Sequence, residues 1–343
     1  MSAKAGKILV ESDAGSYVAW SGADQPELAM EGLGCGLLVL KPLGLAMPHY
    51  ADSHKFGYVL GGSGVVGVLP VGGGAAERVV RLEAGDVISV RTGDVSWWYN
   101  DDANSAGADL SIVFIGDTAR AVSPGDISYF FLAGGNSVLR GLDAAAWAPG
   151  VSTEQAAAAF RSQPAVLLTK LSQRLPGVCP REHDRTGLVT NSGHVAAGTV
   201  KTLTAADLGD LGISAALGRL EAGAARAPWV VREGAAQAVY VARGSARVQV
   251  SSNAGGETLL LDVDVPAGSV FVVPRFAVAF LAAGADGVEW VSLIKSPRPA
   301  VEQLTGEGSV LGGVAAEVVQ ASLNVAPELV ELIGAGRRAA PSN

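Results

Sequence analysis

Gly57-Tyr58-Val59-Leu60-Gly61-Gly62-Ser63-Gly64-Val65-Val66-Gly67-Val68 finds a counterpart 182 residues further on, in Val239-Tyr240-Val241-Ala242-Arg243-Gly244-Ser245-Ala246-Arg247-Val248-Gln249-Val250. Each stretch reads as strand, Gly-Ser turn, strand, because β-branched and aromatic residues flank the turn residues. A second pair follows at nearly the same offset: Ala84-Gly85-Asp86-Val87-Ile88-Ser89-Val90 and Ala267-Gly268-Ser269-Val270-Phe271-Val272-Val273. A third follows each copy: Ser137-Val138-Leu139-Arg140-Gly141-Leu142 and Ser309-Val310-Leu311-Gly312-Gly313-Val314. Three matches in one order mark an internal duplication.

Inside each copy the apolar residues come in short β-rich runs broken by glycine, and the chain's 45 glycines are about twice the usual share of roughly 7%. Many short strands with glycine turns predict a sandwich or barrel. Helical pattern is confined to the segment after each copy. Ser152 and Gln155 stand in capping-box register for a helix running to about Phe160. In the second copy the pattern covers Ala315 to Leu323 and then Pro327 to Ile333, with proline suited to a first helical turn. The expected order is barrel and helical pair over residues 1–172, a linker over 173–193 rich in proline and charge, and barrel and helical pair over 194–343.

A net charge of −8, a pI near 5.1 and the lack of a basic run exclude nucleic acid and anionic membranes as partners. No stretch of about 18 apolar residues is present to cross a membrane. The N-terminal residues do not read as a signal peptide, so a cytoplasmic protein is expected. Cys35 and Cys179 are too few for a disulfide framework and read as reduced thiols.

Pro48-His49-Tyr50, Tyr58-Val59, Gly62-Ser63-Gly64, Gly85-Asp86-Val87 and Trp97-Trp98-Tyr99-Asn100 resemble the first cupin of plant legumins. Val200-Lys201-Thr202-Leu203-Thr204, Ala238-Val239-Tyr240 and Val273-Pro274-Arg275-Phe276-Ala277-Val278 resemble the legumin basic subunit, and Val325-Ala326-Pro327-Glu328 sits where legumins have their last helical pair. The resemblance covers nearly the whole chain. It implies an all-β-dominated protein of two cupin jelly-roll barrels, each followed by a short helical pair, in a cytosolic subgroup of the family.

Metal-binding cupins use two histidines, a glutamate and a third histidine, a set suited to manganese, iron, nickel or copper. On the resemblance, His49 matches the first histidine, but the other positions fall on Ala51, Lys55 and Ser96. A lysine repels a dication, and one histidine does not hold a transition metal. In the second copy the comparable positions carry Trp229, Val231 and Ala279, with Gln237 or a neighbour at the acidic position. No metal, cofactor or catalytic residue is therefore expected. A rival arrangement would bring His49 and His54 together with Asp52 or Asp94, but residues five apart face opposite sides of a regular strand. Glu182-His183-Asp184 reads as a solvated run. Gly61–Gly64 reads as a hairpin turn, since the lysine of a phosphate loop is missing. Gly72-Gly73-Gly74 reads as a loop between strands. Trp97 and Trp98 alternate, so one lines the barrel and the other faces outward. His49, Tyr58, Trp97, Trp229 and Tyr240 are the candidate ligand-lining residues.

The resemblance implies a non-catalytic storage globulin of the nutrient-reservoir class. The alternatives are a binder of a small apolar molecule in the emptied barrel and, with least support, a metal-dependent oxygenase or isomerase. Stored legumins are cut after an Asn-Gly pair; here Asn191-Ser192-Gly193 stands in the matching region, so one uncut polypeptide is expected. Val138, Leu139, Leu142 and Phe160 in the first helical arm are apolar at spacings suited to one face. So are Val310, Leu311, Val314, Val318, Val319, Leu323, Leu329 and Leu332 in the second. Two such arms joined head to tail close a ring, so a homotrimer is expected.

Overall fold

Short β-rich runs punctuated by glycine fold into two β-structured units. One comprises Lys4–His194 with Leu203–Ala215; the other comprises Met1–Ala3, Val195–Thr202 and the chain from Ala216 onward. The computed structural model describes residues 1–72, 76–104, 106–142, 150–254, 256 and 258–335. Gly73 and Gly74 of the glycine-rich loop, and the side chain of Phe160, lie outside the described set.

The strands of the first unit are β1 (Lys4–Ala5), β2 (Lys7–Ser12), β3 (Gly15–Trp20), β4 (Leu33–Leu40), β5 (Gly44–Ala51), β6 (His54–Gly61) and β7 (Ser63–Leu69), followed by β8 (Arg78–Glu83), β9 (Asp86–Val90), β10 (Val95–Tyr99), β11 (Leu110–Asp117), β12 (Tyr129–Phe131), β13 (Leu168–Lys170) and β14 (Val189–Asn191). Among the described residues one sheet runs β12-β5-β10-β7-β8, with β13 also on β5, and the other runs β14-β9-β6-β11-β4-β3-β2. Leu38, Val59, Ile88, Ile112 and Phe114 from the second sheet and Ala46, Val66, Val80 and Trp98 from the first form one buried core. This is the inward face that period-2 alternation selects in a two-layer jelly roll.

The Gly-Ser element is not a hairpin turn. β6 pairs with β9 and β11, whereas β7 pairs with β8 and β10, so the chain passes from one sheet to the other at Gly62. Gly62 has φ +77°, and a Cβ there would lie 2.2 Å from the Asp109 carbonyl oxygen. Only glycine fits both demands.

In the second unit, after β15 (Thr199–Leu203), β16 (Ser214–Leu220) and β17 (Ala225–Val231), one long strand, β18 (Gln237–Ser251), repeats the device. Its first part pairs with β20 (Ser269–Val273) and its last part with β19 (Leu259–Pro266). β21 (Val278–Ile294) runs alongside both parts with a register break between Gly244 and Ala246. Gly244 has φ +67°, and a Cβ would lie 2.0 Å from the Gly287 carbonyl oxygen. The second matched pair is equally concrete. Gly85 N–H donates to the Val59 carbonyl at 2.9 Å, and Gly268 N–H donates to the Val241 carbonyl at 2.8 Å. Trp229, Val239, Val241, Phe271, Leu281 and Trp290 lie in this unit's core, and β22 (Val301–Gln303) pairs with β17.

Helical arms follow each set of strands. The first has a 3-10 turn at Val138–Gly141 and a helix at Thr153–Arg161 closed by the Ser152–Gln155 capping box; residues 143–149 are outside the described set. The second has a 3-10 turn at Leu311–Gly313 and helices at Ala316–Leu323 and Pro327–Ala335. None of the described helices is long and apolar enough to cross a membrane.

The 173–193 stretch, expected as a linker, is docked on the first unit. Asp184 accepts from Val79 N–H at 3.0 Å and from Arg181 Nε at 2.7 Å. Arg185 and Asn191 both donate to Asp86 Oδ1, at 3.0 and 2.8 Å, and β14 pairs with β9. Of the run read as solvated, Glu182 and His183 are exposed, whereas Asp184 is buried against β8. The 203–215 segment closes the same unit: Leu208 and Asp207 carbonyls accept from Ser89 Oγ and Thr190 Oγ1, each at 2.8 Å.

Candidate functional site

His49, Ala51, Lys55 and Ser96, the positions that the resemblance matches to a cupin metal set, are all buried on β5, β6 and β10. His49 on β5 faces Ser96 on β10 as a cross-strand partner, and Ala51 follows two residues after His49 on the same strand face. His49 Nδ1 lies 2.8 Å from the Met47 carbonyl, which only accepts, so Nδ1 carries the proton and Nε2 the lone pair. Burial holds the imidazole pKa down to about 4, and the ring is neutral near pH 7. It packs edge-on against Tyr129 at 5.2 Å between centroids and tilted against Phe131 at 5.4 Å.

Lys55 is 1% exposed on β6, and among the described residues its Nζ has no hydrogen-bond partner. Nζ lies 5.5 Å from the centroid of the Tyr129 ring. Desolvation lowers its pKa from 10.5 to about 8, against a smaller upward pull from Asp52 and Asp94. Those carboxylates are spent elsewhere. Asp52 accepts from Val122 and Ser128 N–H at 2.9 and 3.1 Å, and Asp94 from Val71 and Arg91 N–H at 2.8 and 3.0 Å. His54 Nδ1 accepts from Thr92 N–H at 3.1 Å. The rival convergence of His49, His54, Asp52 and Asp94 is therefore not formed. Among the described residues no three His, Cys, Asp or Glu side chains are placed to hold a metal ion.

Between the sheets a cavity of about 20 Å³ is walled by Tyr17, His49, Lys55, Trp98, Phe114 and Tyr129, among others. The Tyr17 and Tyr129 hydroxyls bond to each other at 2.8 Å, and burial drives both phenol pKa values well above the ordinary value. The space suits a water-sized occupant rather than an organic molecule. Trp98, not Trp97, faces it, edge-on to Phe114 at 4.9 Å. Trp97 turns outward, covers Gly67 and donates its indole N–H to Glu77 at 2.6 Å. Tyr58 is half-buried and does not line the cavity. Tyr17 and Tyr129 were not singled out by sequence. They come from strands distant along the chain, and their one local signal is the aromatic run Tyr129-Phe130-Phe131.

The second unit repeats the layout with different side chains. Trp229 faces Ala279 across β17 and β21, as His49 faces Ser96. Its indole N–H donates to Gln237 Oε1 at 3.2 Å, and the Arg226 guanidinium lies 3.9 Å from its ring centroid. Val231 is buried on the same strand. Val239, rather than Tyr240, lines a cavity of about 10 Å³ beside Trp229 and Gln237. Cys35 is buried with its thiol pKa pushed well up, Cys179 is exposed, and both are free.

The Lys55 charge has a measurable consequence. Its folded-state pKa is depressed, so between pH 8 and 10.5 the unfolded chain binds more protons and stability rises with pH. Below pH 8 both states are charged and the full penalty, about 3 kcal/mol, is present. Lys55→Met is expected to be more stable than wild type near pH 7 in halide-free buffer and to lose the rise between pH 8 and 10.5. Urea unfolding across that range checks both; a parallel pH dependence in the two proteins would contradict the assignment.

The cupin family model matches residues 2–148 and 186–331. 11S globulin seed storage protein 2 of Sesamum indicum is 22% identical over 96% of this chain and 87% of its own length. The 12S seed storage protein CRD of Arabidopsis thaliana is 24% identical over 92% of this chain and 84% of its own. The crystal structure of procruciferin, an 11S globulin from Brassica napus, superposes with a TM-score of 0.85 at 21% identity, covering 97% of this chain and 93% of that one. With the family's domain matched twice along it, the chain belongs to the cupin family as a two-barrel, legumin-like member.

Proposed function

We propose that this protein is a non-catalytic, storage-globulin-like bicupin that assembles as a homotrimer through its helical arms. The observation that carries the non-catalytic reading is the replacement of ligands in both units. Ala51, Lys55 and Ser96 stand with His49 in one, and Trp229, Val231, Gln237 and Ala279 stand in the other. A buried ammonium at the carboxylate position opposes a dication by charge, and the Trp229–Gln237 bond occupies the oxygen at its counterpart. The full-length relatives are seed storage globulins.

Self-association is supported by the arms. Val318, Leu323, Leu329 and Leu332 are 53%, 44%, 45% and 67% exposed, and Val138 and Leu142 in the first arm are also exposed. Apolar side chains grouped in this way on short helices mark an interaction surface. The free cysteines fit a reducing compartment, and a cytoplasmic location is part of this reading. Native mass spectrometry with elemental analysis tests the whole. The expected result is about three times 34.7 kDa with well under one transition-metal ion per chain. Stoichiometric metal that is lost on His49→Ala would overturn the non-catalytic reading.

A further inference from the structure

We propose that the cavity of the first unit is a binding site for one small anion of the halide class, held by Lys55 Nζ and by a hydroxyl hydrogen of the Tyr17–Tyr129 pair. The proposal starts from an imbalance. An ammonium 1% exposed, without a hydrogen bond among the described residues, belongs to a residue that lines the cavity between the sheets. Among the described residues no ion pair within 4.0 Å offsets it, and the carboxylates that act on it, Asp52 and Asp94, are committed to backbone N–H groups. Buried charges are paired, and an unpaired one implies either loss of the proton or a counter-ion.

The walls favour the counter-ion. One hydroxyl of the Tyr17–Tyr129 pair donates to the other across 2.8 Å, which leaves one O–H hydrogen free to turn toward the cavity. Leu38, Trp98, Phe114 and Leu167 make the rest of the lining apolar, so they supply no competing acceptor, and aromatic ring edges carry positive potential. Besides the two tyrosine oxygens, His49 is the facing acceptor among the described lining residues: its Nδ1 proton is committed to Met47, leaving Nε2 bare, and uptake of a proton there would add a third donor toward an anion. Size sets the class. About 20 Å³ exceeds the roughly 10–15 Å³ needed for a water molecule but is too small for a ring or an alkyl carboxylate. The inference does not depend on the storage role.

The test compares wild type in sodium gluconate, sodium chloride, sodium bromide and sodium acetate at one ionic strength, which holds surface screening constant. Chloride and bromide are expected to raise the melting temperature saturably, by roughly 5–10 °C at one hundred times the dissociation constant. Acetate and gluconate should leave it unchanged, and Lys55→Met should melt at one temperature in all four salts. Crystals grown in bromide should show an anomalous peak in the cavity beside Lys55 Nζ. No halide response in wild type, an equal response in Lys55→Met, an equal response to acetate, or bromide crystals without that peak would overturn the site. If Lys55→Met fails to fold, the bromide peak decides alone.

Discussion

Leu323→Asp combined with Leu329→Asp is expected to reduce the solution mass from about three times 34.7 kDa to a single chain. Both side chains are nearly half exposed on the Ala316–Leu323 and Pro327–Ala335 helices, beside the more exposed Val318 and Leu332. In the proposed trimer these leucines are covered by the Val138–Phe160 region of the next subunit. Replacing each with a carboxylate would bury a charge without a partner, at a cost of several kcal/mol per site. Each 1.4 kcal/mol is tenfold in affinity, so the pair should shift assembly by about a thousandfold or more. The barrels should melt as before, since neither leucine belongs to their cores. Light scattering coupled to size exclusion at micromolar concentration reads the result. An unchanged mass would remove the arms as the interface.

Gly62→Ala should destabilise the first unit by about 3 kcal/mol, while Gly61→Ala next door should stay within roughly 0.5 kcal/mol of wild type. At Gly62 the added methyl meets a backbone carbonyl at 2.2 Å with φ at +77°, so neither rotamer change nor side-chain motion relieves it. At Gly61 nothing lies within 4 Å of an added Cβ. Gly244→Ala should behave like Gly62→Ala in the second unit, with a carbonyl at 2.0 Å and φ at +67°. The expected fall in melting temperature is roughly 6–12 °C for each. Thermal unfolding of the three variants checks this; a Gly62→Ala protein melting within 2 °C or so of wild type would contradict the role assigned to the bend.

Those glycines explain why the duplication was readable. Gly62 with Gly244 and Gly85 with Gly268 answer to backbone geometry, which leaves one residue type at the position and so writes the repeat into the sequence. What the Gly-Ser element does was less readable, because a bend between sheets and a hairpin turn ask for similar residues. Strand phase was a second obstacle. Alternation said that Trp97 and Trp98 part ways, but which faces inward depends on Gly67 making room for Trp97 outside and on Phe114 meeting Trp98 inside. The ligand positions were legible only as substitutions; that His49 and Ser96 stand opposite each other comes from the pairing of β5 with β10. The cavity around Lys55 was not, since Tyr17 and Tyr129 are separated by 112 residues and meet only through sheet order. Docking of 173–193 was hidden for the same reason: Asp184 and Arg185 find their partners on β8 and β9, more than 90 residues upstream.

The segment membership of the units bears on how the chain is made. The first unit is finished by Leu203–Ala215, whose Leu208 carbonyl takes the Ser89 hydroxyl across 119 residues of sequence. A chain emerging from the ribosome cannot complete this unit when its own strands are out; it must wait until the opening of the second half has followed. A nascent chain stalled with Thr202 as its last emerged residue would leave Ser89 and Thr190 without those acceptors. Domains generally fold N-terminal first as units during synthesis. Here the handover is delayed, so the duplicated halves, although each has its own core, are not separable beads in the order of biosynthesis.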